Sequence, residues 1–168
     1  MPQASKARVA DFMRTEVVRL EASAPIADAV RTLEENDIGG APVVDGADNV
    51  VGVLSLSDIV RSEHMREGRI DAERGEYYLA DPLEERFDED ADEFAAKEDF
   101  SPRVTGQETV GDWMHTEVIS VDPGASLKRV CKVMNENGIH RVLVLEGRRL
   151  VGIVSTLDVV RHIAEEAG

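Results

Sequence analysis

Two stretches of this 168-residue chain place a serine and an aspartate three residues apart behind a glycine: Gly52-Val-Leu-Ser55-Leu-Ser-Asp58 and Gly152-Ile-Val-Ser155-Thr-Leu-Asp158. A hydroxyl and a carboxylate at that spacing face one side of a nascent helical turn, and the glycine lets another backbone come close. Two chemistries follow. The plainer is a helix N-cap, because Ser followed three residues later by an acid resembles a capping box, although that motif prefers Glu. The other is ligand capture, because a carboxylate accepts hydrogen bonds from paired hydroxyls and a helix N-terminus offers amides to an anion. Neither excludes the other.

The remaining reactive side chains point elsewhere. His64, His115, His140 and His162 lack the spacing of a zinc site, and Cys131 is the only thiol. Cys131 falls on an apolar helical face and is expected in the core. Trp113, which aligns with Phe12, and Met13, Met114 and Met134 read as packing residues. The acidic run Asp88 to Glu93 does not match a calcium loop. There is no P-loop, Rossmann fingerprint or nucleophile elbow, and no general base beside a plausible nucleophile. The expectation is a protein that is not an enzyme and needs no metal or resident cofactor.

The elements that must position these residues come in two copies. Val9-Ala-Asp-Phe-Met-Arg-Thr-Glu-Val17 matches Val110-Gly-Asp-Trp-Met-His-Thr-Glu-Val118, and the match runs without a gap through Pro42-Val-Val-Asp-Gly46 against Leu143-Val-Leu-Glu-Gly147. After one deleted residue, Val51 to Arg61 falls on Val151 to Arg161. Shared apolar spacing alone would not reproduce Asp, Met, Thr, Glu, Gly, Ser and Arg in order, so the chain is an internal duplication.

Each copy predicts the same elements. A short extended segment, Glu16 to Leu20 or Glu117 to Val121, leads into a helix with one apolar face: Ile26, Ala29, Val30 and Leu33, or Leu127, Val130, Cys131 and Met134. A hairpin follows, Ala41 to Val44 with Val50 to Leu54, or Val142 to Leu145 with Leu150 to Val154. A last helix begins after Ser55 or Ser155. The predicted fold is α/β (α+β): two β-α-β-β-α repeats packed through their sheets with pseudo-twofold symmetry. One copy of about fifty residues buries too little apolar surface to be comfortably stable alone, so the pair is the functional unit. The expected boundaries are 1–62 for the first repeat with its N-terminal segment, 63–108 for an acidic, partly helical insert, and 109–168 for the second repeat. The insert reads as a solvated loop with one or two helical turns, or as a lid or partner contact.

Composition bounds the partners. A formal net charge of −15, from 34 acidic and 19 basic residues, repels the phosphate backbone, so no nucleic-acid binding is expected. The acidity fits a saline cytoplasm and ordinary soluble proteins alike. No apolar run approaches the roughly 20 residues of a membrane span, and the polar start lacks a signal peptide. Together with the single cysteine, this predicts a cytoplasmic protein.

The tandem Gly-hydrophobic-hydrophobic-Ser-x-x-Asp signature, with Ile38-Gly-Gly-Ala-Pro-Val-Val-Asp45 and Ile139-His-Arg-Val-Leu-Val-Leu-Glu146 upstream, resembles a pair of CBS domains, the Bateman module, in stand-alone form. The resemblance implies a regulatory module that binds AMP, ADP, ATP or S-adenosylmethionine between the repeats, with the signature aspartate accepting from ribose hydroxyls. It implies one cleft of Ser55 and Asp58 with Val118, Ile119, His140, Arg141 and Val142, where the His-Arg pair meets phosphate. It implies a second cleft of Ser155, Thr156 and Asp158 with Thr15, Val17, Gly39, Gly40 and Ala41, which lacks that cation and is expected to be empty or to take an uncharged adenosine moiety. It further implies a homodimer formed through the helices and an unidentified regulated protein. The alternative is a structural interaction module with unoccupied clefts.

Overall fold

The computed structural model describes residues 7–60 and 107–167, so the expected insert lies outside the described residues except for Gln107 and Glu108. In chain order the elements are a 3-10 turn (Val9–Asp11), β1 (Leu20–Glu21), α1 (Ile26–Glu35), β2 (Gly40–Val44), β3 (Val50–Ser55), α2 (Val110–Trp113), β4 (Ser120–Val121), α3 (Leu127–Asn137), β5 (Arg141–Glu146), β6 (Arg149–Ser155) and α4 (Thr156–Ala167). Residues 56–60 are helical and continue from β3 as α4 continues from β6. Among the described residues no helix is long and apolar enough to cross a membrane.

Two three-stranded sheets result, ordered β1-β2-β3 and β4-β5-β6. In each, the short first strand runs parallel to the second and the hairpin is antiparallel. The duplication is therefore structural as well as sequential. The helices bury the predicted apolar faces, with Ile26 and Leu33 fully enclosed in the first repeat and Val130 in the second. Each such side chain contributes about 1.5–3 kcal/mol over an exposed one.

Two local expectations need correction. The first extended segments were expected over Glu16–Leu20 and Glu117–Val121, yet only Leu20–Glu21 and Ser120–Val121 join a ladder. The residues ahead of them are drawn to the opposite repeat instead: Arg14 exchanges two backbone hydrogen bonds of 2.9 Å with Ile153 of β6, and His115 exchanges two of 2.8 Å with Val53 of β3. Cys131 was expected in the core and is exposed. In α3 the buried stripe runs through Val130, Val133 and Met134. Val133 stands where the first repeat has Thr32, so the buried face of α3 is turned toward Val133 and away from Cys131, the counterpart of buried Val30.

The segment preceding each first strand thus belongs to the other repeat's core. Val9 is buried with Val121, Val130 and Val154, whereas Val110 and Trp113 are buried with Leu20, Ile26 and Leu54. Backbone bonds fasten the exchange, from Val9 N to Ala125 O (2.8 Å) and from Val110 N to Ala24 O (2.9 Å). Trp113 and Met134 are buried, as their packing role requires. A third cluster, Val44, Val50, Leu143 and Leu150, joins the two sheets, and Val17, Val53, Val118 and Ile153 pack against it. Neither repeat is closed without the other.

Candidate functional site

The signature turns are capping boxes in both repeats. Asp58 Oδ2 accepts from the Ser55 amide (2.9 Å) and hydroxyl (2.7 Å), and Ser55 Oγ accepts from the Asp58 amide at 3.3 Å. Asp158 and Ser155 repeat the pattern at 2.9, 2.7 and 3.2 Å. Aspartate replaces the usual glutamate because its hydroxyl partner lies inside the same turn, where a shorter arm suffices. Both carboxyl side chains are nearly sealed, Asp58 at 3% and Asp158 at 5% exposure.

The second carboxylate oxygen points away from that turn, and in each case it meets a basic side chain carried by the other repeat. Asp58 Oδ1 lies 2.6 Å from His115 Nε2. A carboxylate only accepts, so that ring nitrogen carries the hydrogen. Asp158 Oδ1 accepts from Arg14 Nε at 3.0 Å, with Arg161 Nη1 at 3.5 Å. Burial works to raise the Asp158 pKa, but the Ser155 hydroxyl and amide and the Arg14 guanidinium outweigh it and hold the carboxyl below its ordinary value. Asp158 is therefore ionised and acceptor-only near neutral pH.

The glycines explain how these side chains arrive. A Cβ on Gly52 would sit against the His115 carbonyl oxygen closer than any real contact, and 2.7 Å from Met114 Sδ. One on Gly152 would lie 2.6 Å from Met13 Sδ and 2.8 Å from Arg14 O. The signature glycine thus admits the Met-x-Thr segment of the opposite repeat, and that segment brings Arg14 or His115 to the aspartate.

Asp58 consequently lies beside the segment that leads to Val118 and Ile119, and Asp158 beside the segment of Thr15 and Val17. Val17 and Val118 are half-buried between the sheets, Ile119 packs against the second repeat's core, and Thr15 is exposed. The Gly39 and His140 carbonyls each accept from the first amide of the following helix, Leu56 and Thr156, both at 2.9 Å. Thr156 Oγ1 adds a 3.2 Å bond to His140 O. Gly40 pairs with Ser55 and Arg141 with Ser155 in the ladders, and Ala41 and Val142, paired with Leu54 and Val154, are buried. Those contacts lie within one repeat. Besides the backbone pairing of Val53 with His115 and Ile153 with Arg14, the side-chain contacts that join the signature aspartates to the other repeat are His115 to Asp58 and Arg14 to Asp158.

Sequence reasoning missed both crossing side chains, Arg14 and His115. It also described the Asp158 cleft as lacking a cation, whereas Arg14 and Arg161 reach that carboxylate. The signal was present, since Arg14 and His115 occupy one aligned position and both are basic. Their partners stand 144 and 57 residues away, so only the exchange of segments brings them together. Among the described residues no group of three His, Cys, Asp or Glu side chains is placed to hold a metal ion.

The CBS domain family matches the chain twice, over residues 9–64 and 110–165. Among curated relatives, the uncharacterised protein MJ1404 of Methanocaldococcus jannaschii is 30% identical over 94% of this chain, which covers 32% of that protein. Hypoxic response protein 1 of Mycobacterium tuberculosis is 27% identical over 94% of this chain and 85% of its own length. The chain spans 43% of another M. jannaschii relative, MJ1225, so it covers less than half of two of these proteins. Of solved structures, CBSX2 in complex with AMP aligns at a TM-score of 0.66 and 21% identity, covering 96% of this chain and 98% of that one. The CBS domain pair of MJ0100, in complex with 5′-methylthioadenosine and S-adenosyl-L-methionine, aligns at 0.62 and 18%, covering 96% and 99%.

Proposed function

The chain belongs to the CBS-domain family, and from that premise we propose that it is a regulatory module that binds an adenosine-containing ligand between its repeats. AMP, ADP, ATP and S-adenosylmethionine are the candidates, and the bound state passes a change of inter-repeat geometry to a partner protein. The observation that carries the reading is the twice-built aspartate, anchored through one oxygen by its own serine and turned through the other toward the opposite repeat. Bound AMP in CBSX2 and bound adenosyl compounds in MJ0100 support the ligand class. A carboxylate accepting from adjacent ribose hydroxyls makes charged hydrogen bonds worth about 1.5–3 kcal/mol each. In this reading His140 and Arg141 serve the phosphate of a nucleotide held by Asp58, and Gly39 and Gly40 leave room beside the ligand of Asp158.

A second reading has a specific observation behind it. Both signature carboxylates are already satisfied by protein donors, as in a structural module whose clefts stay empty. Thermal melting with AMP, ADP, ATP, S-adenosylmethionine and NAD separates the two. Binding at a hundred times the dissociation constant stabilises by about 2.7 kcal/mol, a rise of roughly 5 to 10 °C for a chain of this size. No rise with any of the five, in low and in high salt, sinks the nucleotide reading.

The regulatory reading includes a homodimer formed through helices. Leu157, Val160 and Ile163 stand 56%, 54% and 48% exposed along one side of α4, an unusual cost for apolar side chains left in water. Val160→Glu is expected to convert a dimer to a monomer in sedimentation equilibrium without changing the circular dichroism. A wild-type protein that sediments as a monomer would remove this part of the account.

A further inference from the structure

Arg14 and His115 are one position of the duplicated segment, and each donates to the outward oxygen of the opposite repeat's signature aspartate, at 3.0 and 2.6 Å. The inward oxygen is filled in both repeats by the serine amide and hydroxyl. A carboxylate has roughly four lone-pair positions, so about one remains while the basic side chain is in place. A vicinal diol brings two donors. The carboxylate oxygen that an adenosyl ligand needs is therefore the one that Arg14 or His115 occupies.

The basic side chain is also the more exposed half of each pair. The Arg14 and His115 side chains are 56% and 41% exposed, against 5% and 3% for their aspartates. Their backbones stay docked through the paired bonds to Ile153 and Val53 whatever the side chains do. Swinging away breaks the contact with the aspartate on its exposed side, while the backbone pairing that closes the fold stays in place. After Arg14 leaves, Arg161 at 3.5 Å still faces Asp158.

We propose that Arg14 and His115 are latches that set the affinity of the two clefts: each holds the diol-accepting oxygen until a ligand displaces it. Each displacement unties one contact between the repeats, which links occupancy to inter-repeat geometry. The proposal rests on the reading that adenosyl ligands use Asp58 and Asp158. A ligand pays for release of the latch, so removing the latch strengthens binding of any diol, with or without phosphate.

Calorimetric titration of adenosine and of AMP tests this in wild type, Arg14→Met, Arg14→Lys and His115→Leu, with Asp58→Asn or Asp158→Asn silencing the other cleft. Methionine keeps the stem of the arginine and removes its donors. Arg14→Met and His115→Leu are expected to bind adenosine about twofold to fivefold more tightly, the range of a partly exposed polar contact. Arg14→Lys is expected to return close to wild type. Binding by the variants with a silent wild type is the latch in its strongest form. Unchanged or weaker adenosine binding by a variant that melts like wild type, while wild type binds, overturns the latch and leaves the adenosyl reading standing. No binding by wild type or any variant overturns both. For variants that fail to fold, the His115 ring resonances of wild type serve instead: they move on saturation with adenosine if the ring leaves Asp58, and stationary resonances refute the latch.

Discussion

Gly52→Ala is expected to lose about 2–3 kcal/mol of folding stability, a large cost for a single added methyl group. The new Cβ would collide with the His115 carbonyl oxygen, which is pinned by the two 2.8 Å hydrogen bonds between His115 and Val53. Relief requires the whole Met114–His115 segment to lift away, taking its packing over the first sheet with it. Gly152→Ala is expected to cost less. Its nearest obstacle is Met13 Sδ, the flexible end of a side chain, although Arg14 O stands close behind at 2.8 Å. Urea denaturation of the two variants checks both the size and the order. Equal, small losses would mean that the exchanged segments are not held as described.

Asp58→Ala is the second large effect. It removes the acceptor of the Ser55 amide and hydroxyl, both inside a buried turn, and strands His115. Loss of a cap costs about 1 kcal/mol, and a buried donor without a partner about 1–3 kcal/mol more. Asp58→Asn is different in kind. Its carbonyl oxygen takes the Ser55 bonds and its amide donates to His115 Nε2 once the ring moves its hydrogen to Nδ1, so the fold is kept at a cost of about 1 kcal/mol. What it loses is the outward acceptor, since an amide NH2 donates where a ribose hydroxyl needs to donate. Denaturant midpoints that place Ala well below Asn, and Asn near wild type, are the expected result; the reverse order would rule out the capping geometry.

How far the sequence led depends on the range of each interaction. The turn chemistry was local and was legible: a serine and an aspartate three apart produce the same capping box wherever they open a helix. The hairpins followed from alternation and turn residues for the same reason, within a residue at each end. The first strands were not, because residues 14–17 and 115–118 are equally extended whether they pair within a repeat or across to the other. Burial of Cys131 failed on a finer point. The inward face of α3 runs through Val130, Val133 and Met134, and Cys131, about 200° round the helix from Val133, is turned out of it. The site was read as a list of acceptors and one His-Arg pair. Its crossing basic side chains depend on the exchange of segments, whose cause, the close approach at Gly52 and Gly152, is visible only in three dimensions.

That exchange also alters the comparison of the clefts. The difference between Gly39-Gly40 and His140-Arg141 stands in the sequence, but both signature aspartates carry a basic partner from the opposite repeat. Charge at the second cleft is present, not missing. Any preference for a charged or an uncharged ligand then has to reckon with Arg14 as well as with Arg141.

The central claim is that Asp58 captures an adenosyl ligand through its outward carboxylate oxygen. Calorimetric titration of AMP into wild type and into Asp58→Asn, both confirmed folded by circular dichroism, addresses it directly. The account predicts saturable binding to wild type and the loss of one site, or at least a tenfold weakening of it, in the variant. Identical isotherms for the two proteins would contradict it.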